Sequence, residues 1–456
     1  MDFTDRFHDT LARLADTPGK KDKEAIVSGM SLGEISFVAY ALDPTKPFYI
    51  AKLPLPEWVL DGRGLDMVLD MGLLRALTER TITGNAALLR IAEHFSQLNW
   101  KAASILHRCI LKDLRCGVGA GTINRVHPGA VPDFAYMRCS LPKDAKLDQW
   151  PWAQGVFSQL KADGMFARIR VENGAAQITS RQGLTFPRGA LADIERAALE
   201  LFPDGGVELH GELTIRQDGK LMHRKDSNGI LNSMQDGGGL PEACTVMYDA
   251  WDLVPARLAV PGGRDETPYV KRFAALLDVV RSRLQAVIDV IEYRMVYSRA
   301  EAAQHFSETL AKGLEGTVVK HSGMPWFDGD SKFQVKYKVE FEVDLKITGF
   351  NPGEPGKRTE ATFGSLICES ACGTLQVGVS GLKREMETYL HENRALVTGG
   401  VITVRANDIV MPSDSSTLYA LSHPRFVELR RDKGEADTLP HIINQLEAAR
   451  AGKATT

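Results

Sequence analysis

The spacing of apolar residues changes twice along this 456-residue chain. Up to about residue 130 the apolar positions recur with a helical period, most clearly in 85–98 and 100–116. From about 140 to 338 strand-like runs alternate with helical runs, and beyond 340 short strands follow one another at hairpin spacing. Because a single hydrophobic core rarely extends beyond about 250–300 residues, the three successive patterns predict three domains.

The predicted domains differ in fold class. Residues 1–133 are expected to form an all-α domain, and residues 134–339 an α+β domain around an antiparallel or mixed sheet. Residues 340–456 carry about five short strands, which suits a small closed β-barrel, with the oligonucleotide-binding (OB) fold as the leading candidate. Within that last domain, the segment 439–453 is expected to be a terminal helix.

The composition is that of a water-soluble protein. Hydrophobic residues make up 44% and charged residues 25% of the chain, as in ordinary globular domains. No apolar run approaches the ~18 residues that span a membrane, and the opening MDFTDRFHDTLARL lacks the apolar core of a signal peptide. We therefore expect a cytoplasmic protein without a membrane partner, monomeric because nothing indicates an obligate oligomer. The scattered cysteines are expected to be reduced, since the close pair Cys368 and Cys372 alone is weak support for zinc.

A local basic segment ends in a glycine-rich turn, although the net charge of the whole chain is −3. Between Lys101 and Val126, five lysines and arginines stand against one aspartate. The turn in GVGAGTINRV (117–126), with Thr122 as a helix N-cap, would direct free backbone N–H groups outward, which suits a DNA phosphate. A simple turn between packed helices is the alternative. The candidate DNA-binding residues are Lys112, Arg115, Arg125, Gly119 and Gly121.

Lys161 stands in the segment QLKADG, at the end of a predicted strand and next to a turn. A lysine in such a position is usually solvated or paired. Carboxylates elsewhere in the chain change this interpretation. In the strand VELHGELTI one face carries Glu208, His210 and Glu212, and Glu315 lies in GLEG, where glycines allow a ligand to approach the backbone. A solvated sheet face and an acidic turn are the alternatives for these two segments.

Lys336 and Lys338 project to the same side of a predicted strand in KFQVKYK. Two like charges on one strand face repel each other unless an anion lies between them, which points to phosphates. A solvated edge strand protected by lysines is the competing interpretation. Together, the lysine nucleophile, the carboxylates and these cations could attack the α-phosphate of a nucleotide, hold it as a phosphoramidate and use a divalent metal.

The order of these segments resembles the motif set of the covalent nucleotidyltransferases. The motifs are Lys161-Ala-Asp-Gly164, Ser180-Arg-Gln-Gly183, His210-Gly-Glu212, Trp251-Asp252, Glu315-Gly-Thr-Val-Val-Lys320 and Lys336-Tyr-Lys338. Within that superfamily the chain is most similar to the ATP-dependent DNA ligases of tailed bacteriophages, which have a helical N-terminal DNA-binding domain. Stretches such as NRVHPGAVP (124–132), VDLKITGF (343–350) and ELRRDK (428–433) extend the similarity over nearly the whole chain.

The resemblance implies an enzyme that uses ATP and Mg²⁺ to seal nicks in double-stranded DNA during replication, repair and recombination. Lys161 would attack ATP, release pyrophosphate and carry AMP, which passes to the 5′-phosphate of the nick before the 3′-hydroxyl displaces it. Glu212 and Glu315 would hold the metal, and Glu212 would also contact the ribose. The positions that match contacts to nucleotide or pyrophosphate are Leu160, Arg181, Trp251, Lys320, Lys336, Lys338, Arg430 and Lys433. The last two imply that the barrel swings toward the active site for one step and away for another.

One position departs from the family pattern. The first motif usually reads K-x-D-G-x-R, and its final position is Phe166 in this chain. Arg168 is the nearest basic residue of the same strand parity. Either Arg168 substitutes as a nucleotide contact, or the contact comes from elsewhere.

Several other functions are compatible with parts of the pattern. An RNA ligase or an mRNA-capping guanylyltransferase shares the nucleotidyltransferase motifs, but the basic helical N-terminal region favours duplex DNA. An NAD-dependent ligase is disfavoured because no four-cysteine zinc site follows the predicted barrel. A non-catalytic DNA-binding protein would use the same charges only to grip phosphate. The sequence leaves open whether a sliding clamp is a partner.

Overall fold

The computed structural model describes residues 2–50, 53, 56–283, 286–354, 359–412 and 416–450. The chain divides into two compact units. The first comprises Met1–Phe134 with Thr179–Thr185, and the second comprises Ala135–Ile178 with Phe186–Thr456. Within the described ranges, no helix is long and apolar enough to cross a membrane.

The first unit is helical. Its helices are α1 (Phe3–Asp16), α2 (Lys20–Ser28), α3 (Leu32–Leu42), α4 (Met67–Thr78), α5 (Gly84–Phe95), α6 (Trp100–Ile110) and α7 (Ala120–Val126). Local sequence starts several of them: Ser31 and Glu34 form a capping box at α3, and the Asn99 side chain accepts the Ala102 N–H at α6. The apolar stripes of these helices meet in one core, whose fully buried members include Phe7, Phe37, Leu74 and Ile105.

The helix predicted for 100–116 ends earlier, at Ile110. Lys112, Arg115 and Gly117 adopt positive φ angles of 58°, 55° and 63°, which a right-handed helix does not contain. The expectation that Thr122 caps the next helix is wrong. Gly119 is the N-cap of α7 without a side-chain hydrogen bond, and Thr122 lies inside the helix.

The second unit begins with two sheets. Its strands up to residue 338 are β1 (Met137–Ser140), β2 (Val156–Leu160), β3 (Met165–Glu172), β4 (Ala175–Ser180), β5 (Val207–Gln217), β6 (Lys220–Leu221), β7 (Cys244–Pro255), β8 (Arg264–Asp265), β9 (Ile288–Val290), β10 (Tyr293–Val296), β11 (Gly316–Lys320), β12 (Trp326–Phe327) and β13 (Gly329–Lys338). One sheet has the order β1-β13-β11-β2-β10, and the other has the order β4-β3-β5-β7-β9 with β6 beside β5. β8 and β12 form a separate pair.

Four helices accompany these sheets: α8 (Ala192–Leu201), α9 (Arg224–Gln235), α10 (Tyr269–Ser282) and α11 (Arg299–Ala311). α8 and α10 pack against β7, where alternating residues of the sheet are fully buried. α11 packs against β2, β10 and β11 on the other sheet. The apolar run 269–288 has helical spacing throughout, but α10 ends at Ser282, Ile288 belongs to β9, and residues 284–285 lie outside the described residues.

The rest of the second unit is strand-rich, as the hairpin spacing predicted. It contains β14 (Phe341–Asn351), β15 (Ser365–Glu369), β16 (Gln376–Val379), α12 (Arg384–Glu392), α13 (Arg394–Val397), β17 (Val401–Ala406), β18 (Asp408–Val410), β19 (Ala420–Ser422), β20 (Arg425–Arg430) and α14 (Leu439–Arg450). Five of these strands form a sheet in the order β16-β15-β14-β17-β20. The described residues contain no closed barrel ladder, but one parallel bridge joins Ser380, just after β16, to Arg425 at the start of β20. The predicted terminal helix is α14, and 451–453 lie outside the described residues.

Candidate active site

Lys161 is held at the end of β2, beside the start of β11. Its backbone N–H donates to Gly316 O at 2.8 Å, and its ammonium nitrogen lies 2.5 Å from Glu315 Oε1. Gly316 has φ 147°, and a Cβ there would come within 2.4 Å of Tyr337 O on β13. A glycine is therefore required next to Glu315 if the carboxylate is to reach Lys161.

The turn after Lys161 brings a second carboxylate to the same place. A Cβ on Gly164 would lie 2.2 Å from Leu213 O and 2.9 Å from Glu212 Cγ, so only glycine lets the turn approach β5 this closely. Burial, with a smaller contribution from Glu315, raises the pKa of Glu212 to about 8 against the opposing effect of Lys161. Glu212 and Glu315 therefore lie close enough to each other and to Lys161 for their charges to interact.

Glu315 has one further property that bears on metal binding. Its Oε2 is buried and has no hydrogen-bond partner in the described part of the chain. A buried carboxylate oxygen without a donor is costly unless a ligand satisfies it. No cluster of three or more His, Cys, Asp or Glu residues suited to a metal exists among the described residues.

The predicted cations line one face of the same sheet. In the antiparallel register of β11 with β13, Val318 pairs with Lys336 and Gly316 pairs with Lys338, so both lysines share a face. Lys338 Nζ lies 3.1 Å from Glu340 Oε1. Lys320 pairs with Gln334 and therefore belongs to this face as well.

Lys320 is the most buried of these cations, with 3% of the residue exposed. Its ammonium nitrogen is 3.3 Å from Tyr269 Oη and 5.6 Å from the ring centroid of Trp251. Burial lowers the pKa of Lys320 to about 8, against the opposing effect of Asp252. Tyr269 was not predicted as a site residue, yet its hydroxyl also donates to Trp251 O at 2.7 Å and accepts from Gln159 at 2.8 Å. No sequence signal marked it, because it is simply the first residue of α10.

Trp251 owes its position to an irregularity in the sheet. The register of β5 and β7 shifts between His210 and Gly211, so that His210 pairs with Asp252 and Gly211 with Ala250, leaving Trp251 as the extra residue. Its ring centroid is 5.9 Å from that of Phe166. Leu160, the other apolar nucleotide candidate, is partly buried, and its N–H donates to Glu292 O at 2.8 Å.

Glu208, His210 and Glu212, the polar residues expected on one face of β5, make different contacts. Glu208 is buried and accepts hydrogen bonds from His210 at 2.9 Å and from Arg170 at 2.8 Å, so its charge is already compensated. Glu212 is the carboxylate that lies near Lys161. The Asp252 carboxylate of the Trp-Asp motif forms a two-point ion pair with Arg272, at 2.8 and 3.0 Å, in the interior.

Arg168, the candidate substitute for the motif arginine, is buried. It is 8% exposed, and its Nη1 lies 3.5 Å from Ala135 O. Burial lowers the pKa of this guanidinium, although Glu208 opposes the shift. Phe166 packs instead among aromatic rings, with centroid distances of 4.7 Å to Tyr136 and 6.1 Å to His210.

Arg430 and Lys433 are joined by one carboxylate. Asp344 Oδ2 accepts from Arg430 at 3.0 Å and from Lys433 at 2.8 Å. Arg430 also pairs with Asp432, and Lys433 with Asp437 at 2.9 Å. Asp344 was not predicted as a site residue, although an acid inside the apolar strand VDLKITGF could have indicated a functional carboxylate. Arg181 belongs to the segment Thr179–Thr185, which groups with the first unit.

The DNA-binding candidates in the first unit lie in different environments. Lys112 donates to three backbone carbonyls, at 2.6 to 3.1 Å, and burial lowers its pKa to about 8, so its ammonium protons are already engaged. Arg125 is ion-paired with Glu24. Arg115 has a positive φ, and its backbone N–H donates to Asp113. Gly119 is the N-cap of α7, and Gly121 lies inside that helix.

We expect the burial of Lys320 to be measurable as a pH-dependent stability. Its pKa is about 8 in the folded protein and 10.5 ordinarily, so between these values the unfolded state binds more protons and stability increases with pH. Relative to Lys320→Met, the wild type should gain about 3 kcal/mol as the pH rises through that window. Urea unfolding across the window measures this, with Lys312→Met, at a 63% exposed side chain, as the control. Parallel pH profiles for wild type and Lys320→Met would contradict a depressed pKa.

Comparison of the chain with known proteins finds DNA ligases. The family model described as ATP dependent DNA ligase domain matches residues 149–338, which include the site around Lys161. The DNA ligase of Enterobacteria phage T4 is 28% identical over 95% of this chain and 97% of its own length, and that of phage T6 is 27% identical over the same shares. A DNA ligase of Methanocorpusculum labreanum is 27% identical over 62% of this chain and 54% of its own length.

A solved structure named Pmar-Lig_Pre has the same fold, with a TM-score of 0.74 and 20% identity over 94% of this chain and 99% of that one. The alignment with the phage proteins is nearly end to end, and the family model spans the motifs from Lys161 to Lys338. This confirms the resemblance drawn from the motif order. Residues 149–338 thus match the ATP-dependent DNA ligase domain, and the chain is similar to phage DNA ligases over nearly its whole length.

Proposed function

We propose that this protein seals 5′-phosphate/3′-hydroxyl nicks in duplex DNA, with ATP as the source of AMP and Lys161 as the residue that carries it. The observation that supports this most directly is the contact between the Lys161 ammonium and Glu315, at 2.5 Å, near Glu212 and next to the strand pair that carries Lys320, Lys336 and Lys338. A grip on DNA phosphate alone would not need two carboxylates around a lysine. An amine attacking phosphorus would, because its proton and the phosphate charge both have to be managed.

The Lys161 amine has to lose a proton before it can attack the α-phosphate. For a free lysine with pKa near 10.4, deprotonation at pH 7 costs about 4.6 kcal/mol. In the structure the ammonium donates toward Glu315 Oε1, which orients the nitrogen at the end of β2. Gly316 and Gly164 allow the backbone to approach closely on both sides, so the amine has few alternative positions. Attack would form the P–N bond while the bond from the α-phosphorus to the pyrophosphate oxygen breaks.

The carboxylates also fit a magnesium ion. Mg²⁺ prefers oxygen ligands and commonly uses one or two carboxylates together with substrate phosphates. Glu315 Oε2 is buried without a hydrogen-bond donor, and burial beside a second acid raises the pKa of Glu212. A bound cation would satisfy that oxygen and lower the pKa of Glu212. When bound there, Mg²⁺ would neutralise phosphate charge and favour the ionised carboxylates.

The nucleotide contacts divide between the two sheets of the second unit. We propose that Trp251 packs against adenine, with Leu160 as a further contact near the base. Lys320, Lys336 and Lys338 would meet the α-phosphate and the departing pyrophosphate, where negative charge builds during in-line displacement. Arg181 would contact phosphate or ribose.

We further propose the three-domain division 1–133, 134–339 and 340–456, with an OB fold in the last part. The order β16-β15-β14-β17-β20 and the parallel bridge between Ser380 and Arg425 support this, since an OB barrel is a five-stranded, partly open barrel. Arg430 and Lys433 would then orient pyrophosphate while Lys161 is adenylated. Their present partners Asp344, Asp432 and Asp437 would have to give way to a more highly charged ligand.

We propose that the first unit binds the duplex, which makes nicked DNA the principal partner of a monomeric, cytoplasmic enzyme. Arg115, Arg125, Gly119 and Gly121 remain the candidate contacts to phosphate. Lys112 is the weakest of the predicted DNA-binding residues, because its ammonium group already donates to the carbonyls of Tyr40, Asp43 and Lys46.

The wild-type protein tests this proposal directly. Incubated with Mg²⁺ and ATP labelled at the α-phosphate, it should take up label in an acid-stable bond and release pyrophosphate. With a nicked duplex it should then convert the nick to a continuous strand, with ATP but not with NAD or GTP. A protein that binds nicked DNA but takes up no label would be a non-catalytic DNA-binding protein, and the proposal would be wrong.

A further inference from the structure

Helix α9 begins with an arginine that contacts the motif containing Lys161. Arg224 Nη1 donates to Asp163 Oδ1 at 3.1 Å, and Asp163 lies two residues after Lys161. The Arg224 side chain is 49% exposed and that of Asp163 is 39% exposed. Among the described residues, this is the hydrogen bond found for the Arg224 guanidinium, and about half of the side chain is exposed.

The charge of Arg224 also reaches the carboxylate on β5. Burial is the largest influence on Glu212 and raises its pKa, whereas the cations Lys161 and Arg224 lower it. Arg224 is thus close to two acids of the site, one on each side of the turn at Gly164. Neither Asp163 nor Glu212 faces it in an arrangement that uses both arms of the guanidinium.

The two arginines on β3 have other partners. Arg168 is buried and lies at Ala135 O, while Arg170 donates to Glu208 and to Ala259 O at 2.6 Å. Position 166 carries an aromatic ring surrounded by Tyr136, His210 and Trp251.

We propose that Arg224 is a phosphate-contacting residue of the ligation reaction, held ready by Asp163. This inference rests on the function proposed above. A guanidinium has five donors in a planar fork that fits phosphate oxygens, and a single hydrogen bond at an exposed carboxylate leaves it able to turn to a more highly charged group. The phosphate comes either from the nucleotide or from the 5′ end of the nick, and the two sources act in different steps.

An ordinary surface ion pair is the competing explanation, and it makes a different prediction. Exposed pairs contribute about 0–1 kcal/mol to stability and nothing to a reaction step. The chain offers a matched pair of this kind: Arg294 on β10 is 46% exposed, and its Nη2 lies 2.7 Å from Glu308 Oε2 on α11. Arg294→Ala therefore reports what losing such a pair does by itself.

The experiment compares wild type, Arg224→Ala, Arg224→Lys and Arg294→Ala in two single-turnover reactions. The first is formation of lysyl-AMP from ATP, and the second is closure of a nick whose 5′ end already carries AMP. We expect Arg224→Ala to slow at least one reaction about tenfold or more, Arg224→Lys to lie between it and wild type, and Arg294→Ala to stay within about twofold. Melting temperatures of all variants are measured alongside, and we expect little change.

The pattern of losses identifies the phosphate. A loss confined to lysyl-AMP formation assigns Arg224 to the nucleotide, and a loss confined to closure assigns it to the 5′-phosphate of the nick. Rates of Arg224→Ala within about twofold of wild type in both reactions would overturn the proposal, as would losses equal to those of Arg294→Ala. Failure of the wild type to form lysyl-AMP is a separate result, which contradicts the proposed function itself.

Discussion

Replacement of Lys161 by alanine is expected to reduce acid-stable labelling of the protein by α-labelled ATP at least about a thousandfold, because the attacking nitrogen is removed. The same variant should still close a nick that already carries AMP, because that step uses the 3′-hydroxyl as the nucleophile. The structure supports the expectation that the variant folds. The Lys161 side chain is 24% exposed, and its backbone N–H bond to Gly316 O does not depend on the side chain.

The control for this prediction is Lys312→Ala, a lysine of the same unit with a 63% exposed side chain. It should label like the wild type. Label that persists on Lys161→Ala would contradict the assignment, and peptide mapping of the labelled protein would then identify the residue that carries AMP. A variant that loses both labelling and closure, with an unchanged melting temperature, would show that Lys161 also positions the nick.

The second large effect is expected at Glu315. Glu315→Gln keeps the shape of the side chain but removes the charge that lies 2.5 Å from the Lys161 ammonium, together with an oxygen suited to a cation. We expect lysyl-AMP formation to slow by about a hundredfold or more, as for removal of one electrostatic contact in an active site. The concentration of Mg²⁺ that gives half the maximal rate should also rise.

The magnesium dependence separates two roles of Glu315. If the residue only orients Lys161, Glu315→Gln lowers the rate without changing the Mg²⁺ requirement. If it also holds the metal, as proposed, both change. Glu308→Gln, at a 40% exposed glutamate paired with Arg294, is the matched control and should change neither. A Glu315→Gln enzyme with wild-type rate and Mg²⁺ dependence would remove Glu315 from the site.

The sequence predicted where chemistry would occur better than it predicted how each residue is used. Lys112 illustrates this, because a lysine in a basic segment looked like a phosphate contact. Its positive φ of 58° turns the side chain back toward three carbonyls, which no composition argument could show. Arg168 is a similar case: strand parity predicted its face, but its burial and its contact with Ala135 O could not be read from the sequence.

By itself, the sequence determined the resemblance to ATP-dependent DNA ligases, the order of the motifs and the division into helical, mixed and strand-rich parts. These properties reside in short contiguous runs, where glycines that permit close approach and alternating apolar residues are readable without a structure. Only the tertiary structure decided that Glu315 meets Lys161, that the extra residue in β7 is Trp251, and that Arg224 contacts Asp163. Each of these depends on strand register or helix position between segments distant in the chain, and a register is set by packing of the whole sheet rather than by any one strand.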